Sequence, residues 1–112
     1  MGADVTKGQL DLLLLRVLAD GERHGYAVIT ALREHSVGQF DLAEGSVYPA
    51  LHRLEARGLL ASCWEPTNGR RRRVYSITDA GTAALKAQQR EWRSWVAAVE
   101  AVLTMTRATS TA

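Results

Sequence analysis

Two runs of strand-favouring residues flank the tetrapeptide Pro66-Thr67-Asn68-Gly69, and nothing else in the chain reads as β. One run is Leu59 to Glu65. The other is Arg73 to Thr78, in which Val74, Tyr75 and Ile77 favour a pleated backbone. Strand, Asn-Gly turn and strand make a hairpin. The rest of the pattern is helical, so the expected fold class is mainly α with a small β-hairpin. At 112 residues the chain suits one compact domain with one projecting element.

Three helices precede the hairpin. Thr6 to Asp20 places Leu10, Leu13, Leu14, Val17 and Leu18 on one buried face, and Gly21 is a suitable stop. Leu12 and Leu15 lie off that face and imply a second contact surface, for a partner or another helix. A second helix spans His24 to His35, with Val28, Ile29 and Leu32 inward. The third is read from Gly45-Ser-Val-Tyr-Pro-Ala-Leu-His-Arg-Leu-Glu-Ala-Arg-Gly-Leu-Leu60. Proline belongs in a first turn, where its missing N–H costs nothing. That puts the start near Gly45 or Ser46, with Ser46 as the N-cap, and Gly58 ends the helix. Val47, Leu51 and Leu54 form a narrow apolar stripe, while Pro49, His52, Arg53 and Ala56 face the other way between Ser46 and Tyr48.

After the hairpin, Thr78 is the expected N-cap of a long helix to about Met105, with Asp79 in its first turn. Leu85, Trp92 and Val99 repeat every seven residues, and Gln88, Trp95 and Val102 follow three residues behind. Such a repeat is the signature of a helix that packs along another helix. The seam expected for a second copy is Leu12, Leu15, Leu85, Trp92, Trp95, Val99 and Val102.

The net charge is only +2, but four of the fourteen basic residues are adjacent, Arg70 to Arg73, at the hairpin tip or on its return arm. Adjacent like charges repel, so a phosphate backbone is their natural partner. Arg70, Arg71 and Arg72 are the better candidates, because Arg73 already belongs to the strand pattern. Catalysis has little support. The chain contains no Walker A, G-x-S-x-G or G-x-G-x-x-G pattern, and His24, His35, His52 and Cys63 have no metal-ligand spacing. No cofactor and no metal are therefore expected. The single cysteine, Cys63, reads as a small packed apolar residue, and Trp64 as packed against the hairpin or the body. No run reaches the roughly 18–20 apolar residues of a membrane span, and no secretory pattern is visible, so a cytoplasmic location is the expectation.

Three helices, a basic hairpin and a long helix describe a winged helix-turn-helix whose third helix enters the major groove and whose wing meets the backbone or the minor groove. The expected division is residues 1–78 for that module, 79–106 for a dimerisation helix and 107–112 for a frayed tail. The recognition candidates are Ser46, Tyr48, Pro49, His52 and Arg53. Arg53 suits either a bidentate contact to guanine or an ion pair with a surface carboxylate. Tyr48 suits either the core or DNA, and Lys7 is a weaker candidate for phosphate.

These motifs resemble the PadR family of bacterial transcriptional regulators. The family shows Tyr-Pro-x-Leu-x-Arg-Leu-Glu, then Gly-Leu, then a basic wing ending Tyr-x-Ile/Leu-Thr-x-x-Gly, matched here by Tyr48 to Glu55, Gly58-Leu59 and Tyr75 to Gly81. His24-Gly-Tyr-Ala-Val28 is similar to the family's second-helix signature and adds Tyr26 to the DNA candidates. The resemblance implies the smaller subgroup, which dimerises through a single C-terminal helix and the first helix. It further implies a sequence-specific regulator, a repressor by expectation, on an inverted-repeat operator. In multidrug-sensing relatives a tryptophan matching Trp92 lines a cavity that takes planar aromatic ligands. Trp92 and Trp95 are thus read either as dimer packing or as the wall of an effector pocket. A module that docks on an acidic protein partner, without binding duplex DNA, is the competing reading, and RNA binding is a weaker third.

Overall fold

The computed structural model describes residues 4–67 and 69–107. The element order is α1 (Lys7–Ala19), β1 (Arg23–His24), α2 (Gly25–His35), α3 (Glu44–Ala56), β2 (Leu60–Thr67), β3 (Arg70–Ile77) and α4 (Asp79–Leu103). Helices α1 to α3 pack around one core, which the sheet closes from one side and the first turns of α4 from another. The chain is thus a winged helix with a projecting C-terminal helix.

Local chemistry explains most boundaries. At the start of α1, the Thr6 hydroxyl accepts from the Gln9 N–H while the Gln9 side chain accepts from the Thr6 N–H, a complete capping box. Thr78 caps α4 by accepting from the Gly81 N–H, without a return bond since Gly81 has no side chain, and Asp79 occupies the first turn. Helix α3 closes on Gly58, whose φ of +78° is open to glycine. The Gly58 N–H bonds to Glu55 O at 2.9 Å and the Leu59 N–H to Leu54 O at 3.0 Å, the paired bonds of a Schellman end.

The start of α3 differs from expectation. Ala43 is the N-cap, with no side-chain cap, and Ser46 is the third helical residue. The N–H groups of Ser46 and Val47 both bond to Ala43 O, at 3.0 and 3.1 Å, so helical bonding begins a turn before Pro49. Proline therefore lies inside the helix and leaves Gly45 O without a helical donor. Gly45 is exposed, so water can serve that carbonyl.

The core face of α1 also shifts. Leu10, Asp11, Leu14, Leu15 and Leu18 are buried, whereas Leu13 and Val17 are only partly so. Leu15 has no exposed surface, and Leu85 from α4 joins the same cluster. Both were expected at a seam between copies and both are core residues instead, because α4 packs its first turns across α1 within one chain.

The hairpin is tighter than the turn signal implied. Pro66 and Thr67, expected in the turn, belong to β2 and pair with Arg71 and Arg70. The strand order β1-β3-β2 leaves β2 at an edge, where Pro66 breaks no internal ladder. All four arginines therefore lie in β3, not at the tip. The two-residue β1, too short for a periodic signal, pairs Arg23 with Tyr75 and His24 with Val74. Cys63 and Trp64 are both exposed on β2, against the expectation that they pack, because the outer ribbon has no layer over it. Among the described residues no helix is long and apolar enough to cross a membrane. The tail expected at 107–112 falls outside the described residues from 108 onward.

Candidate nucleic-acid interface

Tyr48 lies on the flank of α3 away from the Val47, Ala50, Leu51 and Leu54 stripe. Its ring covers the start of α2 at Gly25. A Cβ on Gly25 would run into the Tyr48 ring, so the glycine gives that ring its place against α2. Burial raises the Tyr48 phenol above its ordinary range, with Glu44 and then Tyr26 adding to the effect. The hydroxyl is therefore a neutral donor at physiological pH.

Around this contact lies a concavity of about 620 Å³. One wall is His24, Gly25 and Tyr26, from the β1–α2 junction. The floor is Tyr48 and His52 from α3. The far wall is the wing, with Trp64 from β2 and Arg71, Arg72, Arg73 and Tyr75 from β3. Five residues singled out in the sequence, Tyr26, Tyr48, His52, Arg71 and Arg72, line this one surface. Tyr26 is 62% exposed, a large ring turned to solvent. The Arg72 guanidinium stands 3.1 Å from His24 Nε2. Pro49 is exposed on the same helix. Arg70 pairs with Thr67 beside the turn.

Ser46 and Arg53 open instead into a neighbouring cleft of about 600 Å³, shared with Thr6 and Lys7 from the start of α1 and with Asp41. Arg53 is not free there. Its guanidinium bonds to Asp11 Oδ1, and Arg57 approaches Asp11 Oδ2 at 3.7 Å. Of the two uses open to Arg53, the chain uses the ion pair. Asp11 is the buried charged residue of α1, and the pair straps α3 to that helix.

The wing has its own strap. Arg73 Nη2 donates to Glu55 Oε1 at 2.8 Å and Arg73 Nε to Ser62 Oγ at 2.9 Å, while Ser62 Oγ donates to Glu55 Oε2 at 2.6 Å. The Trp64 ring carries the Arg71 guanidinium 4.9 Å from its centroid and that of Arg73 at 5.7 Å. Trp64, His24 and Tyr75 were not among the sequence candidates, and Arg73 was the weakest of its run. A tryptophan among polar residues on an edge strand was the one available signal. The strap from Glu55 to Arg73 spans 18 residues and has no local trace.

A second surface lies along α4. Trp92 and Trp95 stack at 5.5 Å with an interplanar angle of 24°. Trp92 also borders a depression of about 430 Å³ with Val5, Leu12, Leu13 and Phe40. Farther along, Trp95, Val99 and Val102 border another of about 310 Å³ with Ala98 and Leu103.

Comparison with known proteins agrees with this architecture. Residues 14–87 match the model of the transcriptional regulator PadR-like family. That range holds the second and third helices, the wing and the first turns of α4. The chain belongs to the PadR family of transcriptional regulators. As a PadR regulator it is not an enzyme. It is similar to transcriptional regulator Rv3488 of Mycobacterium tuberculosis, 44% identical over 79 residues, covering 70% of this chain and 71% of that one. Among solved structures it is similar to a PadR family transcriptional regulator from Eggerthella lenta, 30% identical with a TM-score of 0.80, covering 89% and 86% of the two chains. A PadR-like transcriptional regulator from Bacillus cereus is 29% identical with a TM-score of 0.76, covering 89% and 96%. The winged helix and the long α4 are thus shared PadR features.

Proposed function

We propose that this PadR regulator is a cytoplasmic homodimeric repressor that reads an inverted-repeat operator. The observation that carries the reading is the shared concavity, lined together by Tyr48 and His52 of α3 and by Arg71, Arg72 and Arg73 of β3. Ser46, Pro49, His52 and Tyr48 face the major groove, Tyr26 flanks it, and Arg70, Arg71 and Arg72 take phosphates or the adjoining minor groove. Arg53, held by Asp11, positions α3 against α1. Two copies joined along Trp92, Trp95, Val99 and Val102, with Leu12 alongside, set the two reading helices about 34 Å apart, one helical turn of DNA. An aromatic effector between Trp92 and Trp95 of the two copies would change that spacing and release the operator.

The test is fluorescence anisotropy of the purified chain, at near-physiological salt, with duplex DNA from its own upstream region and with a shuffled duplex. Preference for the upstream duplex is expected. Equal, salt-sensitive binding to both would place the operator elsewhere. No binding to either would sink the DNA reading and turn the search to an acidic protein partner.

A further inference from the structure

The outer wing is a ribbon with little to hold it. Strand β1 pairs only with Val74 and Tyr75, so from Arg73 outward β2 and β3 have each other alone. A two-stranded ribbon in water is marginal by itself. A fixed wing therefore needs an anchor at the point where the third strand ends.

We propose that Glu55, Ser62, Arg73 and Trp64 are that anchor, a positioning device that sets the angle between the wing and the reading helix, keeps Arg73 off the DNA and presents Arg71 to it. The proposal rests on the DNA-binding reading above and divides the labour within its arginine run.

Three observations converge on it. First, the hydrogen bonds among Arg73, Ser62 and Glu55 close a ring, with side chains only 36% exposed for Arg73 and 26% for Glu55. A charge-assisted, partly sheltered ring of this kind holds geometry better than a surface ion pair. Second, Glu55 stands in the last turn of α3, on the same face as Tyr48 and His52, so the ring ties the wing directly to the helix face that lines the concavity. Third, Trp64 is 53% exposed on the ribbon and yet seats two guanidiniums. A cation over an indole face is favourable, and here it removes the freedom of Arg71 before DNA arrives. Arg71 and Arg73 are chemically identical neighbours on one strand face. Among the described residues the inner one meets a carboxylate and the outer one meets only a ring.

The sign of one substitution separates positioning from plain charge. Glu55→Ala removes a negative charge beside the DNA face, so electrostatics alone predicts tighter binding. Positioning predicts weaker binding, by about tenfold, the scale of a lost preorganised contact. The full chain would be titrated against a duplex that it selects itself from a randomised pool, across a range of salt. The double variant Glu55→Arg with Arg73→Glu, which restores the pair at unchanged net charge, is expected to recover affinity to within about threefold. Trp64→Ala is expected to lower the salt slope by about one, as Arg71 loses its seat, and Trp64→Phe to retain it.

Binding by Glu55→Ala as tight as the parent or tighter would overturn the proposal. So would a double variant as weak as Glu55→Ala. If Glu55→Ala loses its helical circular dichroism, Trp64→Ala decides, and an unchanged slope overturns the proposal. A parent chain that selects no duplex overturns the DNA reading and this device with it. A parent that binds while the variants match it overturns the device alone.

Discussion

In α3 the apolar stripe Val47, Ala50, Leu51 and Leu54 is at most 1% exposed, whereas in the outer half of α4 Trp92, Trp95 and Val102 are 41%, 59% and 65% exposed. The two helices carry stripes of the same kind. Helix α3 has 13 residues and lies wholly within reach of α1, α2 and the sheet. Helix α4 has 25 residues, and only its first turns, through Gly81 and Leu85, find cover in the chain. A stripe states that a face is to be covered and leaves open what covers it. In α3 the cover is intramolecular; outer α4 finds none within the described residues of the chain, and the second copy proposed above would supply it.

Substitutions in the two stripes should therefore fail differently. Leu51→Ala should lower the unfolding free energy by about 2–5 kcal/mol, because the site is fully enclosed and collapses poorly around a lost side chain. Denaturant unfolding of the purified chain measures it, and a loss under half that size would mean that the α3 stripe is less tightly held than its burial implies. Trp92→Glu with Val99→Glu should leave circular dichroism close to the parent and convert a dimer to monomer, since the charges would be buried against a symmetry mate. Light scattering that still reports a dimer would move the seam off α4.

A smaller effect separates the polar surfaces of the two regions. Arg71→Ala with Arg72→Ala should weaken binding to every duplex and flatten the salt dependence by about two units, as two phosphate contacts are lost. An unchanged slope would remove the wing from the interface. Smallest is an alkaline effect confined to the covered body. Burial holds the Tyr75 phenol above its ordinary value of 10.0, and Tyr48 is raised for the same reason. The folded state thus keeps these protons longer than the unfolded one. Their contribution is complete below pH 10 and declines as pH climbs through the folded values. Melting temperature should fall above that point, and less steeply for Tyr75→Phe. A Tyr75→Phe curve parallel to the parent's would assign the decline to other groups.

Local features were legible and distant ones were not. The Thr78 cap and the Gly58 stop act within a few residues, so their effect can be read in order along the chain. The four consecutive leucines Leu12 to Leu15 leave the core face of α1 open to a shift, and the choice fell to Leu14 and Leu15 through packing against α4. Asp11 on the buried side of α1 made no sense locally, since its partners Arg53 and Arg57 are more than forty residues away. Tyr26, Tyr48, His52, Arg71 and Arg72 could each be named from the sequence as candidates for DNA. That they line one concavity, with Trp64 and His24 among them, depended on how the wing folds back toward α2 and α3.

The sequence by itself determined the order of the four helices and the single hairpin, the Thr78 cap and the position of the arginine run, because periodicity, turn chemistry and N-capping are properties of neighbouring residues. Only the tertiary structure decided which arginines are held by carboxylates and which remain exposed. Glu55 meets Arg73 and Asp11 meets Arg53 across segments that no local rule connects. The energy of those contacts depends on distance and burial, and both arise only when the three helices and the wing close on one core.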